Sequence, residues 1–364
     1  MMPPPVHRET QRPFRAKAHR LAILALVLIT TACAGASQPK GPLIAEPIIT
    51  TALEGQAGGA QEILYAADGY PLPLRSWRPE GDPTAIILGL HGFNDYSISF
   101  ERPATYWADK GVKTYAFDQR GFGATDEIGV WPGTETLVTD ITDALTTLKR
   151  RHPDTPLFLL GESMGGAAAI LAMTDEQTPP PPIDGLILVA PAVAKKDSIP
   201  AYQRIGLRVF STLMPGLKAD GRGLDLQPSD NIDVLRSMWF DPLTLKDARL
   251  DTLQGLLDLM TDAATAMPDI EPPALMVFGA QEQIIPGAAV SETLAPLRER
   301  WTEQPTLTLG YYPAGYHMLL RDLEAETVWD DVSAWLASPT AQLPSGATKD
   351  AWTALLPPPI ASTE

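Results

Sequence analysis

Apolar residues along this chain recur in strand-length runs separated by helix-length stretches. Ala85–Leu90, Val112–Phe117, Leu157–Leu160, Leu186–Ala190, Ala274–Phe278 and Thr306–Tyr311 are short and rich in aliphatic and aromatic side chains. Runs of that kind bounded by turn residues predict strands buried on both faces. Between them, Leu137, Ile141, Leu145 and Leu148 fall at spacings of three and four, which predicts a helix over Thr134–Arg151. Phe100–Lys110 reads as a helix closed by Gly111, and a last helix is expected from about Glu324 to Leu336. Ile63–Tyr65 and Leu72–Trp77 flank Asp68-Gly69, a hairpin-turn pair. Apolar strands alternating with helices predict an α/β fold, with a mostly parallel central sheet flanked by helices.

One stretch breaks the rhythm. Residues 195–268 show helical periodicity and no clear strand, and they carry Phe210, Leu213, Met238, Trp239, Leu256 and Met260 among other large apolar side chains. An inserted helical cap is expected there, over the carboxyl ends of the strands where open α/β sheets bind ligands. Most of its apolar residues would seal the cap against the body, and a minority would line a pocket. The core is then residues 58–194 and 269–337.

The ends have a different composition. Arg8, Arg12, Arg15, Lys17 and Arg20 precede the apolar run Leu21–Ile29, which is too short for a typical membrane-spanning helix. Residues 1–32 therefore read as a secretory signal peptide. Thr30-Thr31-Ala32-Cys33 follows and resembles a bacterial lipobox, in which the cysteine is lipidated and becomes the new N-terminus. Cys33 is the chain's sole cysteine, so no internal disulfide can form. Simple cleavage after Ala32 and an uncleaved anchor are the competing readings. The resemblance to bacterial lipoproteins, with Ala34 rather than Asp after the cysteine, implies the outer membrane of a Gram-negative envelope, facing the periplasm. Residues 33–57 read as a tether and residues 338–364 as a Pro-rich flexible tail. The formal charge is −16, and residues 1–32 hold five of the 28 Lys and Arg but one of the 44 Asp and Glu, so the remainder is more acidic still. Such a surface repels nucleic acid and anionic headgroups. No metal-ligand spacing, phosphate loop or dinucleotide fingerprint occurs, so no metal or cofactor is expected, and no obligate protein partner is evident.

The candidate chemistry centres on Gly161-Glu162-Ser163-Met164-Gly165-Gly166. A buried strand precedes it and the small-residue run Ala167–Ala172 follows, the strand–turn–helix context of a nucleophile elbow. A serine hydroxyl needs an adjacent base near neutral pH. Of five histidines, His7 and His19 fall in the signal, His152 ends a helix, and His91 lies upstream, where it would brace a loop. His317 lies after the last strand, where the order serine, acid, histidine puts the base. Glu282, after the strand ending at Phe278, is the candidate acid that would orient it; Asp269 and Glu271 precede that strand and are worse placed. The N–H groups of Met164 and Phe93 are the candidate oxyanion donors.

His91-Gly92-Phe93-Asn94, Phe117-Asp118-Gln119-Arg120-Gly121-Phe122-Gly123, the elbow and Gly315-Tyr316-His317 occur in that order between about residues 60 and 337. In these segments the chain resembles the α/β-hydrolase family of monoacylglycerol lipases and lysophospholipases. The resemblance implies Ser163 as nucleophile, His317 as base, and Phe93 with Met164 as oxyanion donors. The family usually has aspartate three residues after the glycine matching Gly279; here that place holds Glu282. The expected activity is hydrolysis of single-acyl lipid esters through an acyl-enzyme, with a lipidated N-terminus at the membrane. An esterase or peptidase of other small acyl compounds, or a catalytically silent envelope-binding lipoprotein, are the alternatives.

Overall fold

A computed structural model describes residues 36–51, 61–221, 223–271, 273–298, 307–339 and 341–356. The signal peptide and Cys33 lie outside the described residues. Nine strands form one sheet: β1 (Ile48–Thr51), β2 (Glu62–Tyr65), β3 (Pro71–Trp77), β4 (Ala85–Leu90), β5 (Val112–Phe117), β6 (Leu157–Glu162), β7 (Gly185–Val189), β10 (Ala274–Gly279) and β11 (Leu307–Tyr312). Two-residue strands β8 (Lys218–Ala219) and β9 (Ala248–Arg249) pair separately. The sheet order is β1-β2-β3-β5-β4-β6-β7-β10-β11. The first three strands run antiparallel to their neighbours, and every pairing from β5 onward is parallel. The parallel core explains the unbroken apolar runs: β4, β6, β7 and β10 are buried at every position.

The helices are α1 (Glu101–Asp109), α2 (Thr134–Arg151), α3 (Met164–Thr174), α4 (Ala201–Leu213), α5 (Ile232–Phe240), α6 (Leu250–Ala266), α7 (Gly287–Leu294), α8 (Ala325–Ala337) and α9 (Ala351–Leu355). Side chains of α2, α3, α6 and α7 form the core on one sheet face. Phe100, Trp107, Val328, Val332 and Trp335, from α1, α8 and the residue before α1, form it on the other.

Three expected boundaries move. The tether expected at 33–57 contains an ordered stretch: Ile48–Thr51 pairs with β2, and Gln38 Nε2 donates to Val130 O at 2.7 Å. Within the tail expected at 338–364, residues 341–356 pack as well. Leu343, Ala347, Ala351 and Leu355 are buried, and Ser291 Oγ donates to Leu355 O at 2.5 Å. In both places a few apolar residues spaced among Pro, Ala and Ser bury against a surface that sheet and helices have already made. The cap is also shorter than residues 195–268. Leu259, Ala263 and Ala264 of α6 are buried in the main core, beside α3. Periodicity says that a helix has an apolar face but not which neighbour covers it.

Candidate active site

The turn between β6 and α3 carries Ser163 with φ 54° and ψ −116°, a backbone region costly for a residue with a side chain. The flanking glycines make it possible. A Cβ at Gly161 would lie 2.4 Å from Gly165 O, and one at Gly165 would lie 2.2 Å from Leu90 O. The Ser163 N–H donates to Val189 O at 2.9 Å, so the neighbouring strand holds the turn down while the hydroxyl points up.

Ser163 Oγ lies 2.9 Å from His317 Nε2, and His317 Nδ1 lies 2.6 Å from Glu282 Oε2. The hydroxyl donates to one ring nitrogen and the other donates to the carboxylate. All three residues come from loops at the carboxyl ends of strands: β6, β10 and β11. Glu282 Oε1 accepts the N–H groups of Ile284 at 2.6 Å and Ile285 at 3.1 Å. Burial opposes ionisation of Glu282, but the His317 contact and these two N–H groups outweigh it and hold the carboxyl below its ordinary range. The longer glutamate side chain thus reaches His317 with one oxygen while its own turn grips the other. Gln281 N–H donates to Gly315 O at 2.9 Å, tying the acid loop to the histidine loop.

The two candidate oxyanion donors flank the serine. Met164 is the first residue of α3, whose N–H has no partner inside the helix. Phe93 lies on the loop after β4 and lines the cavity above Ser163. A Cβ at Gly92 would sit 3.3 Å from Ser163 Cβ, so glycine there lets the loop come close. His91 has a bracing position. Its Nδ1 lies 2.9 Å from Gly92 O, and its Nε2 accepts the Gln119 N–H at 3.0 Å, while burial lowers its pKa.

Above Ser163 and His317 is a cavity of about 610 Å³. Leu224, Leu226, Leu235, Met238 and Trp239 of the cap and Met260 of α6 supply much of its apolar lining. Among the contacts between the cap and the machinery, Leu245 N–H donates to Asn94 O at 2.9 Å, and Met318 N–H donates to Pro228 O at 2.9 Å.

The sequence reading missed an ionic cluster under this cavity. Arg321 Nη1 lies 2.5 Å from Asp95 Oδ2, and Nη2 lies 3.2 Å from Glu162 Oε2, with all three side chains buried. Glu162 stands inside the elbow motif itself, and a charged residue at the end of an otherwise apolar strand was the available signal.

Sheet, cap and hydrogen-bonded triad define the class: an α/β-hydrolase with a helical cap. Residues 81–324 match the family described as serine aminopeptidase, S33, and the chain belongs to that family. Human monoglyceride lipase is 28% identical over 289 residues, covering 76% of this chain and 90% of that protein. Monoacylglycerol lipase of Mycolicibacterium smegmatis is 26% identical over 267 residues, covering 72% and 91%. A solved structure of a soluble variant of monoglyceride lipase from Saccharomyces cerevisiae, 18% identical, has a TM-score of 0.63 and covers 84% of this chain and all of its own, a likeness of fold.

Proposed function

We propose that this chain is a serine ester hydrolase of single-acyl lipids, with monoacylglycerol its best-fitting substrate. The observation that carries the reading is the Ser163–His317–Glu282 chain of hydrogen bonds opening into an apolar cavity. Ser163 Oγ attacks the ester carbonyl carbon as His317 Nε2 takes its proton. Glu282 stabilises the imidazolium and keeps its own charge. The N–H groups of Phe93 and Met164 bind the oxyanion. The alcohol leaves with the proton from His317, and a water activated by the same imidazole then frees the acid.

The apolar cap residues suit the acyl chain. An uncharged headgroup suits the polar end better than a phosphodiester does. Among the described residues, both Lys and Arg cations lining the cavity are already engaged: Arg321 by Asp95 and Glu162, and Lys246 Nζ by Asp241 O at 2.9 Å and by Met238 O. Lysophospholipids are therefore the lesser candidates. The names of the human and mycobacterial relatives support the same choice.

The lipobox-like segment at Cys33 supports the second half of the proposal, a lipid anchor on the periplasmic face of the outer membrane. Gln38, five residues after Cys33, is bonded to the body, so such an anchor would hold the enzyme close to the bilayer. A fluorophosphonate probe with a matched Ser163→Ala control, followed by a hydrolysis screen across chain lengths and headgroups, tests the activity. Labelling and turnover lost only in the variant, with monoacylglycerol preferred, support it. An unlabelled, folded wild type refutes the enzyme reading. Fatty-acid labelling of wild type against Cys33→Ser tests the anchor, and a wild type that takes up no label refutes it.

A further inference from the structure

The three segments that carry the machinery are not equally well held by the sheet. The Phe93 loop and the Ser163 turn extend from adjacent strands, with Leu90 of β4 paired directly to Gly161 of β6. His317 arrives from β11, which is separated from β6 by β7 and β10. At about 4.8 Å per strand, the histidine loop starts some 14 Å from the serine strand. It must reach back across two strands to bring Nε2 within 2.9 Å of Ser163 Oγ.

Arg321 sits four residues after His317 on that returning loop, and its guanidinium spans the gap. Nη1 bonds Asp95, two residues beyond Phe93, and Nη2 bonds Glu162, immediately before Ser163. Asp95 is fixed in turn, its Oδ1 accepting the Tyr96 N–H at 2.9 Å. The carbonyl of Arg321 accepts Asn231 Nδ2 at 2.9 Å, so the base of the cap joins the same node. One side chain thereby touches the segments that hold the oxyanion donor, the nucleophile and the base.

A buried ionic cluster is weak evidence for stability, because desolvation cancels most of its attraction. This one is imperfectly satisfied: Glu162 Oε1 and Arg321 Nε are buried with no hydrogen-bond partner. A well-packed apolar side chain would serve a purely structural purpose at least as well. A planar fork that grips two carboxylates at fixed angles serves a geometric one.

We infer that Arg321 is a positioning residue: by clamping Asp95 and Glu162 it holds the His317 loop in register with Ser163 and the oxyanion loop. This rests on the catalytic reading of Ser163 and His317. The effect belongs in the rate of the chemical step rather than in substrate binding, since the cluster acts on the alignment of the reacting groups.

The test is Arg321→Met and Arg321→Lys, with active sites titrated by a fluorophosphonate and turnover of a soluble short-chain ester expressed per titrated site. Arg321→Met should lower kcat per site on the order of 10²-fold, the cost of a displacement of about 1 Å. KM should change less than about threefold, and the fluorophosphonate rate constant should fall in parallel with kcat. Arg321→Lys should recover part of the rate, because an ammonium reaches one carboxylate but cannot fork to both. If Arg321→Met does not fold, Arg321→Met with Glu162→Gln removes one uncompensated buried charge; it should fold and remain slow. Titrated sites that react at the wild-type rate, in either form, would overturn the proposal and leave Arg321 a structural residue. A wild type that takes no probe at all would indict the catalytic reading instead.

Discussion

The elbow helix α3 and the cap helix α4 are close in length and opposite in construction. In α3, eight of eleven residues are buried, and the helix is built mostly from Gly and Ala packed against the sheet and α6. In α4, Ser211 alone of thirteen residues is buried, while Tyr202, Ile205, Phe210 and Leu213 are each more than half exposed. The first helix is fixed by backbone contact: glycine and alanine let strand and helix approach until no Cβ would fit. The second lies against α6, with Arg208 Nη1 3.5 Å from Asp258 Oδ2, and offers large apolar side chains outward. On the proposed function, chemistry at Ser163 needs atoms held to fractions of an ångström, whereas admitting an acyl chain needs a surface that can adjust. The molecule assigns the two demands to a densely buried floor and a roof whose α4 is largely exposed.

The strongest way to break this contrast is Gly165→Ala. Its Cβ would lie 2.2 Å from Leu90 O, where only backbone can give way. A loss on the order of 3 kcal/mol is expected, with activity falling alongside, as measured by urea unfolding. A variant that unfolds at the wild-type midpoint would mean the elbow is far more compliant than its contacts imply.

Glu282→Gln follows. It keeps the shape but removes the charge that faces the imidazolium, so kcat should fall on the order of 10²-fold or more with little change in the unfolding midpoint. Glu282→Asp should regain part of the rate, since a shorter carboxylate cannot hold both His317 and the Ile284 and Ile285 N–H groups. Wild-type turnover in Glu282→Gln, with collapse in Asp269→Asn, would transfer the acid's role elsewhere.

Asp322 sharpens the contrast at the seam between floor and roof. It accepts Ser229 Oγ at 2.6 Å from the cap and the Tyr316 N–H at 2.7 Å from the histidine loop. Burial pushes its carboxyl from an ordinary 3.8 up to about 6, against the pull of those two donors. The folded chain therefore holds this proton more tightly than the unfolded one. Its contribution to stability is fullest below about pH 4 and is lost as pH rises through about 6. Asp322→Asn cannot titrate, so the margin of wild type over the variant should shrink between those values in thermal melts. A margin that grows with pH would show that the carboxylate is already charged at pH 4.

The smallest effect is expected in the roof. Phe210→Ser and Leu213→Ser remove side chains that are 54% and 63% exposed, and each should shift stability by no more than about 0.5 kcal/mol. If either costs as much as Gly165→Ala, the cap is bound far more tightly to the body than its exposure implies.

What the sequence by itself determined was whatever is written locally. Apolar runs marked the parallel strands, a spacing of three and four marked α2, and the glycines around Ser163 marked a turn that must pass close to its neighbours. The order of Ser163, Glu282 and His317 along the chain then put each at the end of a strand. These signals survive because burial on both sheet faces and close backbone approach each restrict the residue types allowed at consecutive positions. The tertiary structure alone decided which surfaces meet. It placed α6 in the core beside α3 rather than in the cap, and bound residues 36–51 and 341–356 to the body through a handful of scattered side chains. It aimed the two oxygens of Glu282 at different partners, and it gathered Arg321, Asp95 and Glu162 from three distant segments beneath one cavity. No local pattern records such contacts, because a charge or a lone leucine takes its meaning from the neighbour that the fold brings to it.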